Sequence, residues 1–543
     1  MTPTRLSLVF ALLALPLGAL AQTPPAAKLS CSIEQPTPPT DASRAFNKRN
    51  YSEAESLYRA AASAASAEPD FAAATAGLVR SLIDENKSHE AVDTANAALK
   101  LHPNNAVLLD ALGEAYYRRG ETDQAAVTWN AAGKADPCNA HVHLDMARFF
   151  HFNAEYASEQ RQLEVAHQLA PHNKAIPRPY SATAHTETQE EMIDRLTDRL
   201  DSSELSPDAK ASLQRTINVL QAQSRGTCEV TNPKPTSQIP IVPIANGPTD
   251  MYAAGLEVTL NGKKKRFELD TGASGLLLSR SVARAAGLIS EAESQGGGIG
   301  DQGPTTELLA HVDDIKIGDL DFHNCLVRIF DKKDVLPVDG LIGADVFSSY
   351  LVTIDVPSRM VRLAPLPPRP DDTAATSQTL DTSGADAQNE SAPRNRYVAP
   401  EMKDWYGVYR VGHELLVPAS LNQTPPRLFI LDTGAFTTSV SDTAARAVTK
   451  VHTDDNIHVH GISGKVNKVY SADKIDFRFA GMEQKVTDAV AFENSSISKN
   501  TGLEVSGFLG ATTLGQLTIT IDYRDGLVHF SYDPNRGYRI PTF

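Results

Sequence analysis

The tetrapeptide Asp270-Thr271-Gly272-Ala273 follows an apolar run holding Phe267 and Leu269, and it returns as Asp432-Thr433-Gly434-Ala435 after Leu428-Phe429-Ile430-Leu431. A lone Asp-Thr-Gly is an ordinary turn signal, since Asp and Gly both favour turns. A true duplication would carry further landmarks along with it. Asp270 and Asp432 are 162 residues apart, and Gly340-Leu341-Ile342-Gly343 returns 167 residues on as Gly507-Phe508-Leu509-Gly510. Ile354-Asp355 returns as Ile521-Asp522, and Val361-Arg362-Leu363 as Val528-His529-Phe530, both again at 167. Four landmarks in one order at a near-constant offset mark two copies of one domain, with about five residues of loop difference.

The paired Asp-Thr-Gly-Ala turns, each followed within its copy by two hydrophobic residues and a glycine, resemble the pepsin and retropepsin group of aspartic proteases. The resemblance covers residues 250–365 and 403–533. It implies two mainly β lobes forming a pseudo-dimer, each lending one aspartate, Asp270 or Asp432, to a shared site. It also implies that Thr271 and Thr433 cross-link the two turns and that Gly272 and Gly434 leave room for substrate. Leu341-Ile342-Gly343 and Phe508-Leu509-Gly510 would pack beneath the turns as the ψ-shaped loop of that family. Ala273 and Ala435 stand where pepsin-type enzymes often carry Ser or Thr. The missing hydroxyl removes one hydrogen bond to an ionised carboxylate, so a mildly acidic optimum at about pH 5 to 6 is expected.

Paired carboxylates suit peptide hydrolysis, which needs an activated water and an acid for the leaving nitrogen. Like charges a few ångströms apart cannot both ionise, so such a pair holds one shared proton. One carboxylate then serves as base toward water while its protonated partner polarises the carbonyl. No cofactor or metal is needed for this.

In the first copy, Leu256, Val258 and Leu260 alternate with polar residues, Asn261-Gly262 signals a hairpin turn, and the return strand delivers Asp270. Further on, Gly298-Ile299-Gly300-Asp301-Gln302-Gly303 formally matches a dinucleotide fingerprint. Pro304 and an alternating pattern follow where that fingerprint needs a helix, so a glycine-rich hairpin tip is expected instead. This tip, with Gly298, Gly300 and Gly303, resembles the family's flap, and its counterpart in the second copy holds Gly461 and Gly464. Neither carries the tyrosine found in pepsin's flap.

Residues 1–21 read as a signal peptide: basic Arg5, an apolar stretch from Leu8 to Leu17, and the small-residue site Ala19-Leu20-Ala21. Export to the periplasm or medium follows as an expectation, with no membrane span because the apolar run is too short. A Pro-rich tether is expected over 22–43. From there to 172 a helical array is expected, because Pro103, Pro137 and Pro171 recur every 34 residues. Leu109, Leu112-Gly113, Tyr116, Ala125, Trp129, Ala132 and Pro137 resemble the tetratricopeptide pattern. The groove of such a solenoid is either a spacer or a docking surface for a peptide or partner protein; stacking alone explains every residue named.

A helical connector is expected over 173–235, the first β lobe over 236–364, and the second over 401–543. Residues 365–400, rich in Pro, Ala, Asp, Ser and Thr, read as a disordered linker in which Asp381-Thr382-Ser383-Gly384 is a decoy lacking the duplicated context. Four cysteines, Cys31, Cys138, Cys228 and Cys325, allow three disulfide connectivities in an exported chain. The net charge of −15 argues against nucleic-acid binding, and Lys263-Lys264-Lys265-Arg266 reads as a solvated strand edge. His452, His458 and His460 lack convincing ligand spacing to carboxylates or cysteines and read as polar flap residues rather than a metal site. These readings converge on an exported aspartic endopeptidase acting on peptide or protein. A rival from another class is a catalytically inactive adaptor that binds partners with its helical groove and β lobes.

Overall fold

The computed structural model describes residues 31–35, 38–173, 176–177, 188–200, 206–226, 228–246, 251–330, 339–370, 393–454 and 456–535. The expected leader, the first part of the tether, the centre of the linker with its Asp-Thr-Ser-Gly decoy, and the last eight residues lie outside them. No helix among the described residues is long and apolar enough to cross a membrane.

The N-terminal region is helical. Helices α1 (Asp41–Asn47), α2 (Tyr51–Ala64), α3 (Glu68–Asp84), α4 (Ser88–Leu101), α5 (Ala106–Arg118), α6 (Thr122–Ala135), α7 (Ala140–Phe152) and α8 (Tyr156–Leu169) stack on one another in chain order. The 34-residue proline spacing is a spacing of helix stops. Pro103, Pro137 and Pro171 each lie just beyond the ends of α4, α6 and α8, where a residue without an N–H ends a helix at no cost. Asn105 and Asn139 then open the next helix, their side chains accepting from the N–H groups of Leu108 at 3.1 Å and His141 at 3.0 Å. Gly113 lets α5 lie against the Trp129 indole, and Gly77 lets α3 lie against the Tyr58 ring; a Cβ at either place would overlap the ring. Two further helices, α9 (Gln189–Leu200) and α10 (Pro207–Ser224), lead into the β-rich region.

That region repeats one topology. In the first copy, Lys263–Asp270 pairs parallel with Gly340–Gly343, which in turn pairs antiparallel with Leu276–Ser279. In the second, Arg427–Leu431 pairs parallel with Val505–Leu509, itself antiparallel to Ser439–Ser441. The hairpin before Asp270 joins Met251–Leu260 to Lys263–Asp270 through Asn261 (φ 45°) and Gly262 (φ 77°). Two positive φ values at the turn match the right-handed twist of the strands, which is why Asn-Gly belongs there. Phe267 and Leu269 point into the core beside Leu256, Val258 and Ile342.

A six-stranded sheet joins the copies: Tyr350–Asp355 pairs antiparallel with Thr518–Asp522, flanked by the strands Met360–Pro365 and Leu527–Ser531. The pairing is symmetric, Thr353 facing its duplicate Thr520 with Val352 opposite Ile521 and Ile354 opposite Ile519. The described ends of the expected linker pack on this sheet. Arg369 forms an ion pair with the buried Asp525, whose Oδ1 also accepts the Tyr397 N–H at 2.8 Å.

Two disulfides, Cys31–Cys138 and Cys228–Cys325, select one of the three pairings left open by sequence. The first fastens the segment ahead of α1 to the α6–α7 turn; the second ties the start of the β region to the strand Leu320–Phe330. The helical array docks on the second β copy. Tyr117, Phe149 and Phe152 pack on the cluster that holds Tyr409, Leu416 and Leu428, while the Arg118 guanidinium donates to the Ser498 carbonyl at 2.8 Å.

Candidate active site

The two Asp-Thr-Gly turns meet. Each strand must end in a sharp turn for this, and Gly272 and Gly434 permit it because a side chain at either would strike the opposite carboxyl. A Cβ at Gly434 would lie 2.5 Å from the Asp270 Cγ, and one at Gly272 would lie 3.0 Å from the Asp432 Cγ. The threonines bond reciprocally: Thr271 N–H donates to Thr433 Oγ1 at 3.1 Å, and Thr433 N–H to Thr271 Oγ1 at 3.0 Å. Their hydroxyls then donate across to the carbonyls of Leu431 at 2.7 Å and Leu269 at 2.8 Å. Four bonds thus clamp the two turns together with almost no side-chain entropy left to lose.

Within this frame the Asp270 carboxyl lies against Gly434 and the Asp432 carboxyl against Gly272. Gly272 N–H donates to Asp270 Oδ1 at 2.8 Å, and Ala435 N–H to Asp432 Oδ1 at 2.8 Å. Burial pushes both carboxyls above the ordinary range, and for Asp432 the charge of Asp270 adds to it, lifting it well above. Backbone donors at Gly272 and Gly434, and the neighbouring His413 ring on Asp270, pull the other way and are outweighed. Both carboxyls therefore hold a proton more tightly than an isolated carboxyl does.

Gly343 and Gly510 lie beneath the turns: Gly343 N–H donates to the Gly275 carbonyl at 2.8 Å, and Ala511 N–H to that of Ala435 at 2.7 Å. Asp432 N–H donates to the Leu509 carbonyl at 3.1 Å. Leu341 and Phe508 face the apolar walls of the two lobes, and Ile342 and Leu509 enter the core.

The two glycine-rich tips cross over. Ser463 N–H donates to the Ile299 carbonyl at 3.0 Å, Gln302 N–H to the Ser463 carbonyl at 2.9 Å, and Gly298 N–H to Ser463 Oγ at 3.1 Å. Gly300 sits where any Cβ would run into the Ser463 carbonyl, and Gly461 meets the Ile299 carbonyl in the same way. Gly303 and Gly464 take positive φ values, 76° and 89°, at the bends of the tips. Ile462 packs on the first lobe's wall of Ile244, Leu277, Phe330 and Leu341, and Ile299 packs on the second lobe's wall. Each tip thus covers the apolar wall of the opposite copy.

The sequence pattern did not reveal His413 or Glu268. His413 lies 143 residues from Asp270, on the hairpin that precedes the second Asp-Thr-Gly, and its Nε2 is 3.0 Å from the Gly272 carbonyl. Glu268 needed only the strand alternation: two residues before Asp270, it shares that residue's face. As for metal binding, His452 is paired with Asp473 at 3.1 Å. A separate group on the helices, Asp110, Glu114, His141 and Asp145, brings its ligand atoms within 4.8 Å of one another. Arg80 fills the place of a cation there, 2.6 Å from Glu114 Oε1 and 3.1 Å from Asp110 Oδ2. Burial and Arg80 push the His141 ring down, but Asp145, Glu114 and Asp110 outweigh them and raise it to about 10. Two cations among three acids make an internal ion network binding α3, α5 and α7.

Comparison with known proteins fits this geometry. The sequence model described as aspartyl protease matches residues 256–346. Residues 256–346 form an aspartyl protease-like domain. The DNA damage-inducible protein 1 of Neurospora crassa is 31% identical to this chain over 103 residues, 19% of the chain. The match spans 23% of that relative's own length. The aspartyl protease-like domain contains Asp270 and Leu341-Ile342-Gly343; Asp432 is supplied from outside the matched stretch.

Proposed function

We propose that this protein is an exported aspartic endopeptidase that works without a cofactor, one aspartate coming from each lobe. The observation that carries the reading is the meeting of the Asp270 and Asp432 carboxyls inside the reciprocal Thr271–Thr433 clamp, each lying against the glycine of the opposite turn. In this reading a water molecule held by the pair gives a proton to the ionised carboxylate as its oxygen bonds to the peptide carbonyl carbon. The protonated carboxyl donates to the carbonyl oxygen. Collapse of the tetrahedral intermediate breaks the C–N bond, and the pair returns a proton to the leaving nitrogen. The crossed tips exclude water and press the peptide onto the cleft floor.

Export to the periplasm or medium is inferred from the apolar leader at residues 1–21, and the two disulfides suit an oxidising compartment. The helical array is inferred to be a tetratricopeptide solenoid, on the strength of its 34-residue proline spacing and its glycine-to-aromatic crossings. The deciding experiment is cleavage of a denatured protein between about pH 4 and 7, with and without a pepstatin-like inhibitor, by the full chain and by Asp270→Asn and Asp432→Asn. Inhibitable cleavage lost in both variants supports the reading; binding of peptides without cleavage favours a non-catalytic adaptor.

A further inference from the structure

We propose that Glu268 is a specificity residue, which selects a substrate carrying a basic side chain, lysine or arginine, at one of the two positions flanking the scissile bond. The assignment rests on the peptidase reading above and adds the substrate class to it.

Strand alternation puts Glu268 on the face of Asp270. Phe267 and Leu269, its neighbours on either side, enter the core, so residues 268 and 270 point the other way. Its strand partner there is Leu341, aligned with it in the parallel pair. Leu341 belongs to the wall on which Ala273 and the tip residue Ile462 also pack, so Glu268 lies on the covered side of the lobe beside the reacting carboxyls. The residue is only 8% exposed, and its carboxyl meets burial and the charge of Asp270 with no hydrogen-bond or ion-pair partner among the described residues.

A carboxyl largely withdrawn from water with no partner beside it is costly. Burial, with the charge of Asp270 added, pushes the Glu268 carboxyl up to about 8. An ammonium or guanidinium entering this side of the cleft would draw off the proton that the carboxyl otherwise holds at mildly acidic pH and supply its counter-charge and hydrogen bonds. The duplicate position gives the contrast. Ile430 stands two residues before Asp432, is 2% exposed and joins an apolar wall with Phe508 and Leu416. The cleft is thus acidic at this position of the first lobe and apolar at its duplicate in the second. It would accept a peptide in one direction only, with a basic residue on one side of the bond and an apolar one on the other.

Cleavage of a peptide library varied at both flanking positions, read by mass spectrometry, tests this for the full chain, Glu268→Gln and Glu268→Ile. Folding of the variants is checked by thermal melting. The expected result is a preference for lysine or arginine at one flank only. In Glu268→Ile that flank should turn apolar, with kcat/KM for basic substrates falling about 100-fold, while the other flank keeps its preference. An unchanged profile in a folded, cleaving Glu268→Ile overturns the assignment alone, as does a preference for asparagine or glutamine in the unaltered chain. If the unaltered chain cuts nothing that Asp432→Asn spares, the peptidase reading falls and the assignment with it.

Discussion

Thr353 and Thr520 face each other across the strand pair that joins the two lobes, their hydroxyl oxygens 3.2 Å apart. They are the same position in the two copies, 167 residues apart, so each strand pairs with its own duplicate. A twofold relation between the lobes is the only arrangement that makes equivalent residues partners of one another. Thr271 and Thr433 repeat it at the other end of the lobes, each donating its N–H to the other's hydroxyl. Two self-pairs on one axis bring Asp270 and Asp432 together from separate parts of the chain.

The acid and base roles cannot be split by half a pair. Asp270→Asn and Asp432→Asn should each lower kcat by about 100-fold to 10,000-fold, measured on one peptide at mildly acidic pH. Full activity in either variant would mean that the two carboxyls do not act as a unit.

The same pair predicts a pH dependence of stability. Asp432 is raised well above its ordinary value of 3.8 by burial and by Asp270. A carboxyl raised in the folded state contributes stability that is present below the unfolded value and lost as pH rises through the folded one. Asp432→Asn, which cannot ionise, should therefore melt higher than the unaltered chain at neutral pH and gain little near pH 3. Equal melting shifts at the two pH values would contradict a raised Asp432.

Closure of the tips depends on Gly300, whose φ is 131° and whose Cα faces the Ser463 carbonyl. Gly300→Ala should hold the tips apart and lower kcat/KM about 10-fold to 100-fold, through misplacement of the peptide, while melting changes little because the tips lie outside the lobe cores. A large loss of melting temperature with normal kinetics would place the residue in the fold instead.

Docking of the helices on the second lobe turns on Gly120. Its φ is 72°, and a Cβ there would lie 3.0 Å from the Glu504 carbonyl oxygen. Nearby, the half-buried Glu504 side chain is held by Arg427 at 3.5 Å and Ser88 at 3.3 Å. Gly120→Ala should cost about 1–3 kcal/mol from backbone strain and lost contact, seen as a lower melting temperature and faster proteolysis at the helix–lobe junction. Unaltered melting would show that the junction contributes little.

Much of this molecule can be read from local pattern. Period-two alternation around Asn261-Gly262 gives the hairpin that carries Asp270, and the prolines at 103, 137 and 171 mark helix ends, because both signals come from backbone chemistry within a few residues. The near-constant offset between landmarks announces two copies, which is enough to expect a pair of aspartates. Glu268 was equally legible through its place in the strand, and went unread because a charged residue beside a motif resembles any solvated one.

What the sequence by itself determined is the set of parts: the duplicated turns, the glycine-rich tips, the helical spacing and an even number of cysteines. Tertiary structure alone decided which parts meet. It paired Cys31 with Cys138, placed His413 against the Gly272 carbonyl, filled the acidic group on the helices with Arg80, and left Glu268 buried without a partner among the described residues. The physical reason is range. Turn and helix preferences act over a handful of residues, whereas burial, ion pairing and shared protons depend on distances that only the packed chain fixes.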